Sequence, residues 1–140
     1  MALKMTREEL QTFIKDVFPQ VAEDFTIMDV APMEITVRLN VGERHLRPGG
    51  TISGPSMFGL ADVAIYLAIM AMIGPKALAV TTNSSMDFMR KPGAGVDLIA
   101  KCRLLKLGRV LAVGDVLLFS EGMDEPVARA SMTYSIPPKG

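Results

Sequence analysis

Apolar positions along the chain follow helical, alternating and continuous patterns, and each predicts an element. Leu10, Phe13, Ile14 and Val17 recur at helical spacing. Thr6 can cap that helix, and Glu9, three residues on, completes a capping box. Pro19 stands just beyond its expected end, so residues 1–20 read as an N-terminal helical segment. Phe25 to Val30 reads as a strand. From Met33 to Leu39 the residues Met33, Ile35, Val37 and Leu39 alternate with polar neighbours, the pattern of a half-buried strand. Ala31-Pro32 is the expected turn between the two.

Pro55 to Ile73 is the continuous case: apart from Asp62 it carries no charge. A helix apolar all round must be covered all round. Pro55 suits its first position and Gly74-Pro75 its end, and Ala61, Ala64, Ala68 and Ala71 form a stripe that admits close approach. Four strands are then expected, Leu78 to Phe88, Val96 to Leu105, Val110 to Phe119 and Val127 to Ile136. Tight turns fall at Leu107-Gly108-Arg109 and at residues 121–125. Leu98, Ala100, Cys102 and Leu104 share one face, as do Ala128, Ala130, Met132, Tyr134 and Ile136. The order helix, two strands, long helix, four strands predicts an α+β architecture. In it, a curved antiparallel sheet of about six strands wraps the long helix. At ~1.5 Å per residue the helix spans about 28 Å, and a nine-residue strand at ~3.3 Å spans about 30 Å. One sheet covers only one side of a rod, so loops or a second subunit must cover the rest.

Composition narrows the function. The 140 residues suit one domain, 1–140, and 49% are apolar. Fifteen basic residues balance fifteen acidic ones, which argues against a nucleic-acid partner. Cys102 and His45 are the sole cysteine and histidine. A metal site or a Ser-His-Asp site within one chain is therefore not expected. No apolar stretch follows a basic start in MALKMTREELQTF, so the chain reads as cytoplasmic. Between Val63 and Gly74 the uncharged run is too short for a bilayer, and no membrane role is expected.

Asp62 is the first candidate for chemistry. A carboxylate in a greasy helix is costly to desolvate unless paired; it reads as a catalytic base or nucleophile, or as a structural partner for Arg47 or His45. Gly59, one turn earlier, leaves room above it. The long loop Val41 to Gly54 ends in Gly49-Gly50-Thr51-Ile52-Ser53-Gly54. Glycines at a helix start let backbone N–H groups face a ligand at the positive dipole end. Pro55 has no N–H, so Gly54 is the expected oxyanion donor; the alternative is an ordinary cap. Gly54 and Asp62 lie about 12 Å apart along one helix and cannot grip one reacting carbon. A two-fold dimer with antiparallel helices would bring them together across subunits.

The segment HLRPGGTISGPSMFGLAD, residues 45–62, resembles the helix-start motif of the phenylacetate-degradation type (PaaI-like) hot-dog thioesterases. In that family a glycine precedes His-Gly-Gly, and an acid follows nine positions after the His. Here Gly50 matches the first glycine, Ser53 stands at the His, Gly54 matches the next glycine, Pro55 replaces the last, and Asp62 is the acid. The likeness continues through residues 79–83, 88–92 and 106–110.

The resemblance implies a hot-dog fold and hydrolysis of an acyl-CoA thioester to free acid and CoA. It makes Asp62 the base or nucleophile and Gly54 N–H the oxyanion donor. Thr81 would orient the attacking water. Ser53 can cap the helix but cannot act as an imidazole, and Arg47 stands where the family often has Asn or Gln. Phe88, Met89, Arg90, Lys91 and Pro92, with Lys106, Gly108 and Arg109, match segments that line the CoA channel, the basic ones facing phosphates. Singly, each basic residue reads equally well as solvated surface. No separate cofactor is implied, since CoA belongs to the substrate. A homo-oligomer is expected, a dimer or dimer of dimers. The alternative is a non-catalytic acyl-CoA or acyl-carrier binding module on the same fold. His45, in the loop, is expected at the surface.

Overall fold

The computed structural model describes residues 2–138. Helix α1 (Arg7–Val17) precedes strands β1 (Phe25–Ala31) and β2 (Glu34–Leu39). The long helix α2 (Gly54–Ile73) follows, then β3 (Val80–Phe88), β4 (Leu98–Leu107), β5 (Leu111–Ser120) and β6 (Ala128–Ser135). The capping box forms as expected: Thr6 Oγ1 accepts from Glu9 N–H at 3.1 Å and Glu9 Oε1 from Thr6 N–H at 2.9 Å.

Strand ends differ from expectation by one or two residues, and two boundaries carry a physical reason. Met33 takes φ 66° and lies in the turn with Pro32, rather than starting β2. Gly54, not Pro55, is the first residue of α2, because Ser53 is extended (φ −74°, ψ 153°) and its side chain accepts from Ser56 N–H. Gly74 closes the helix at φ 90°, a conformation glycine tolerates.

All six strands form one antiparallel sheet in the order β1-β2-β4-β5-β6-β3. Neighbours in sequence pair for β1–β2 and β4–β5–β6. Strand β3 instead crosses to β6, which puts it at an edge. The hot-dog arrangement expected from the sequence is the one found. Register aligns Ile35, Cys102, Val116 and Ala130 in one buried row facing α2. Gly114 on β5 is tightly enclosed: a Cβ there would meet Leu104 Cδ2 at 3.2 Å and Ile65 Cγ1 at 3.4 Å. Ala61, Ala64, Ala68 and Ala71 are all buried.

By length and composition α2 could cross a bilayer, but 67% of its apolar window is buried within the protein. Its covering is uneven. Every residue from Ala64 to Met72 is buried, while Pro55 and Phe58 are exposed and Gly59, Asp62 and Val63 half-exposed. The N-terminal segment supplies part of the cover. Leu10 and Ile14 of α1 are fully buried. Gln11 also stitches α1 to the free edge of β1, donating to Phe25 O and accepting from Ile27 N–H, both at 3.0 Å. The opposite edge, β3, has no such cap among the described residues, and all but Thr81 and Met86 are exposed along it.

Candidate active site

Asp62 lies on the open half of α2, next to two hydroxyl donors. Thr81 Oγ1, from β3, donates to Asp62 Oδ1 at 2.6 Å. Tyr134 Oη, from β6, donates to the same oxygen at 2.7 Å and approaches Asp62 O at 3.1 Å. The pairing of β3 with β6 sets Thr81 opposite Tyr134, so the sheet crossover builds this pair of donors. Burial, and then the negative charge of Asp62, push the Tyr134 phenol well above its ordinary pKa, which keeps it a donor. No basic side chain pairs with Asp62 among the described residues. Both hydroxyls go to Oδ1, and no described residue hydrogen-bonds Oδ2. The carboxylate lines a cleft of about 330 Å³ together with Phe18, Val63, Tyr66, Ala79, Val80, Thr81 and Tyr134. Space above Gly59 is open, as its place in the helix suggests.

The helix start forms a second, separate cleft of about 760 Å³. Gly54 shares it with Arg47, Met57 and the segment Phe88 to Pro92. Six of the sequence-selected residues thus meet the expected oxyanion donor. Gly54 N–H makes no backbone hydrogen bond among the described residues. Ser53 Oγ accepts from Ser56 N–H at 3.2 Å and donates to Ser56 Oγ at 2.9 Å, so its hydroxyl is occupied as a cap. Asp62 is absent from this cleft and Gly54 from the first. Gly108 and Arg109 line a third cleft at the far end of α2, with Ile73, Lys76 and Lys4. Lys106 lies beside Gly108, on exposed surface.

His45 is not at the surface; it is 6% exposed. Its Nδ1 accepts from Gly42 N–H at 2.8 Å, which leaves the proton of the neutral ring on Nε2. Nε2 faces Asp24 Oδ2 at 3.2 Å, outside hydrogen-bond geometry, while Arg44 pairs with the other oxygen of Asp24. The His45 carbonyl accepts Ser53 N–H at 2.8 Å, so the histidine anchors the loop just ahead of Gly54. Sequence alone missed this because the burying partner, Asp24, is remote in the chain.

Burial, then the Arg44 charge, holds the His45 pKa below its ordinary 6.5. The native state therefore resists a proton that the unfolded chain accepts, and the unfolded state binds more protons as pH falls. Stability should fall as pH drops from about 6.5 toward 5. In His45→Gln this component should vanish, read as a urea midpoint that changes less between pH 7.5 and 5.5.

The sequence profile of the thioesterase superfamily matches residues 49–127, which span both the Gly54 loop and Asp62. The chain belongs to the thioesterase superfamily. A candidate thioesterase from a Silicibacter species has a crystal structure that superposes with a TM-score of 0.93 at 62% identity, covering 99% of this chain and 96% of that one. A point mutant of the phenylacetic acid degradation protein PaaI from Thermus thermophilus gives a TM-score of 0.73 at 32% identity over 85% of this chain and 99% of its own. Among curated proteins, acyl-coenzyme A thioesterase 13 of Mus musculus is 25% identical over 116 residues, 83% of this chain and 82% of its own. Thioester hydrolysis is the general chemistry of the superfamily. In this thioesterase the carboxylate, its two hydroxyl donors and the helix-start donor all have defined places. Tyr134 is the one of these that sequence reading missed. It was legible only as a core position on the apolar face of β6, since nothing in its own neighbourhood hints at a carboxylate on another element.

Proposed function

We propose that the chain hydrolyses acyl-CoA thioesters, with Asp62 as general base and Gly54 N–H as oxyanion donor, in a site shared between two subunits. The observation that carries this is the half-buried Asp62 carboxylate, held by Thr81 and Tyr134 through Oδ1 alone and without a basic partner. Water held at Oδ2 attacks the thioester carbonyl carbon, and Asp62 takes its proton. The negative charge then develops on the carbonyl oxygen, which Gly54 N–H receives at the positive end of α2. Collapse breaks the C–S bond and releases the acid; the CoA thiolate takes up the proton. Thr81 holds Asp62 directly and leaves its lone pairs for the water, a role that extends the one implied by resemblance.

Sharing follows from the separation of the two clefts on one chain. An unpaired strand edge is a template for another strand. Antiparallel pairing of β3 with its own copy, about a two-fold axis near the middle of the strand, brings the Thr81 end of one chain to the partner's Phe88 end. Phe88 touches the Gly54 position, 3.5 Å from where a Cβ would stand. One subunit's oxyanion donor thereby approaches the other subunit's carboxylate. Arg47 and Lys91, at the Gly54 cleft, supply charge for the CoA phosphates, while Arg90 beside them is paired with Glu125 at 2.7 Å. The acyl-CoA class is supported by the likeness to acyl-coenzyme A thioesterase 13.

The test is a panel of acyl-CoAs incubated with the protein and a thiol reagent. Catalytic release of free thiol is the expected result. Saturable binding with no thiol released would instead assign the chain to the binding-module reading. Ser53 at the family's His position is the observation that favours that outcome.

A further inference from the structure

We propose that Phe18, from the N-terminal segment, determines the length of acyl group the enzyme accepts. This inference rests on the acyl-CoA reading above and deepens it. Phe18 lies outside residues 49–127, the part that defines the superfamily, yet it lines the same cleft as Asp62. Three aromatic rings lead outward from the carboxylate. Tyr134 donates to Asp62; its ring lies 6.1 Å from Tyr66, and the Tyr66 ring lies 5.6 Å from Phe18. The first two are locked. Tyr134 and Tyr66 are 3% and 4% exposed, and Tyr66 Oη donates to Ala77 O at 3.0 Å. Phe18 is 38% exposed and is the ring with apolar surface to offer.

Its place makes it an end-plate: it is the outermost of the three rings, and its plane stands at 74° to that of Tyr66. Val63 and Val80 supply apolar sides to the same cleft, so the space beyond the carboxylate suits hydrocarbon and not charge. A volume of about 330 Å³ is at the small end for a ligand site. A short acyl chain fits before it meets Phe18.

Phe18 is also held in place. Its N–H donates to Ile14 O at 2.9 Å and its carbonyl accepts from Val21 N–H at 3.1 Å. The helix that delivers it is anchored by Leu10, Ile14 and the Gln11 bonds to β1. A wall whose backbone is fixed in this way discriminates by length, since a longer chain must displace a ring that packs edge-on against Tyr66.

The experiment compares wild type, Phe18→Ala and Phe18→Leu on straight-chain acyl-CoAs from acetyl to dodecanoyl. Hydrolysis is read as kcat/KM. The same three residues at position 18 are placed in the Asp62→Asn background, and Kd for the series is measured by calorimetry, which reads the cleft without turnover. Phe18→Ala should affect the shortest substrate least and gain about fourfold in kcat/KM and in affinity for each further methylene accommodated. Phe18→Leu, which keeps apolar packing against Tyr66, should fall between the two. A length profile that does not move in either variant would overturn the proposal, and so would an equal loss at every length, the mark of a packing role. Absence of binding at any length in the Asp62→Asn background would overturn it too. Absence of hydrolysis by the wild-type chain defeats the acyl-CoA hydrolase reading, while the binding series still decides the role of Phe18.

Discussion

Asp62→Asn should lower kcat for thioester hydrolysis by roughly 10²- to 10⁴-fold, the usual contribution of a positioned general base. The amide keeps the shape of the carboxylate and one oxygen to accept from Thr81 and Tyr134, whose bonds to Oδ1 are 2.6 and 2.7 Å. The fold should therefore survive, and KM should change by only a few-fold. What the amide cannot do is take a proton from water. A loss confined to kcat separates chemistry from binding. Steady-state kinetics together with a thermal melt check both halves. Activity within a few-fold of wild type would mean that another group activates the water.

Gly54→Pro should cost about 10²- to 10³-fold in kcat, the penalty for removing one oxyanion donor, about 2.7–4 kcal/mol. Proline suits the first helical position because no intrahelical bond is lost there, and the strain of a Cβ ahead of Pro55 is shared by an alanine at the same position. Gly54→Ala is the control. Its N–H remains, and its Cβ would meet Phe88 Cζ at 3.5 Å, an ordinary contact. It should keep most of the activity. The pair also tests the shared site. Mixing Gly54→Pro with Asp62→Asn chains under exchange makes about half the dimers hybrid, and each hybrid contains one site with both groups intact if sites span subunits. Activity should recover to roughly a quarter of wild type. If each site lies within one chain, mixing restores nothing.

The two variants act through features that differed in how far they could be read in advance. Gly54 and Asp62 announce themselves locally. One is a glycine before a helix, and the other is the one charge on an apolar rod, both visible as breaks in a pattern. Tyr134 and His45 do not. Tyr134 continues the alternation of β6 without interruption, and its hydroxyl meets Asp62 across 72 positions of sequence. His45 is buried by an acid that arrives from the turn ahead of β1. Phe18 likewise gains meaning from Tyr66, a residue on another helix. The basic residues selected from the sequence do not share one cleft, and Lys106 lies on exposed surface. Arg47, Arg90 and Lys91 gather at Gly54, while Arg109 stands near Ile73 at the other end of α2.

Periodicity in the amino-acid sequence was enough for the elements themselves, for the buried faces of α1, β2, β4 and β6, and for the demand that a sheet wrap a helix. Those properties depend on the spacing of apolar side chains along a single segment, and solvent acts on every segment in the same way. Tertiary structure alone decided that β3 leaves its neighbour in sequence for β6. That crossover depends on long-range backbone pairing, which carries no local signal. It sets Thr81 beside Tyr134, directs two hydroxyls to one oxygen of Asp62, and leaves an unpaired strand edge beside the carboxylate.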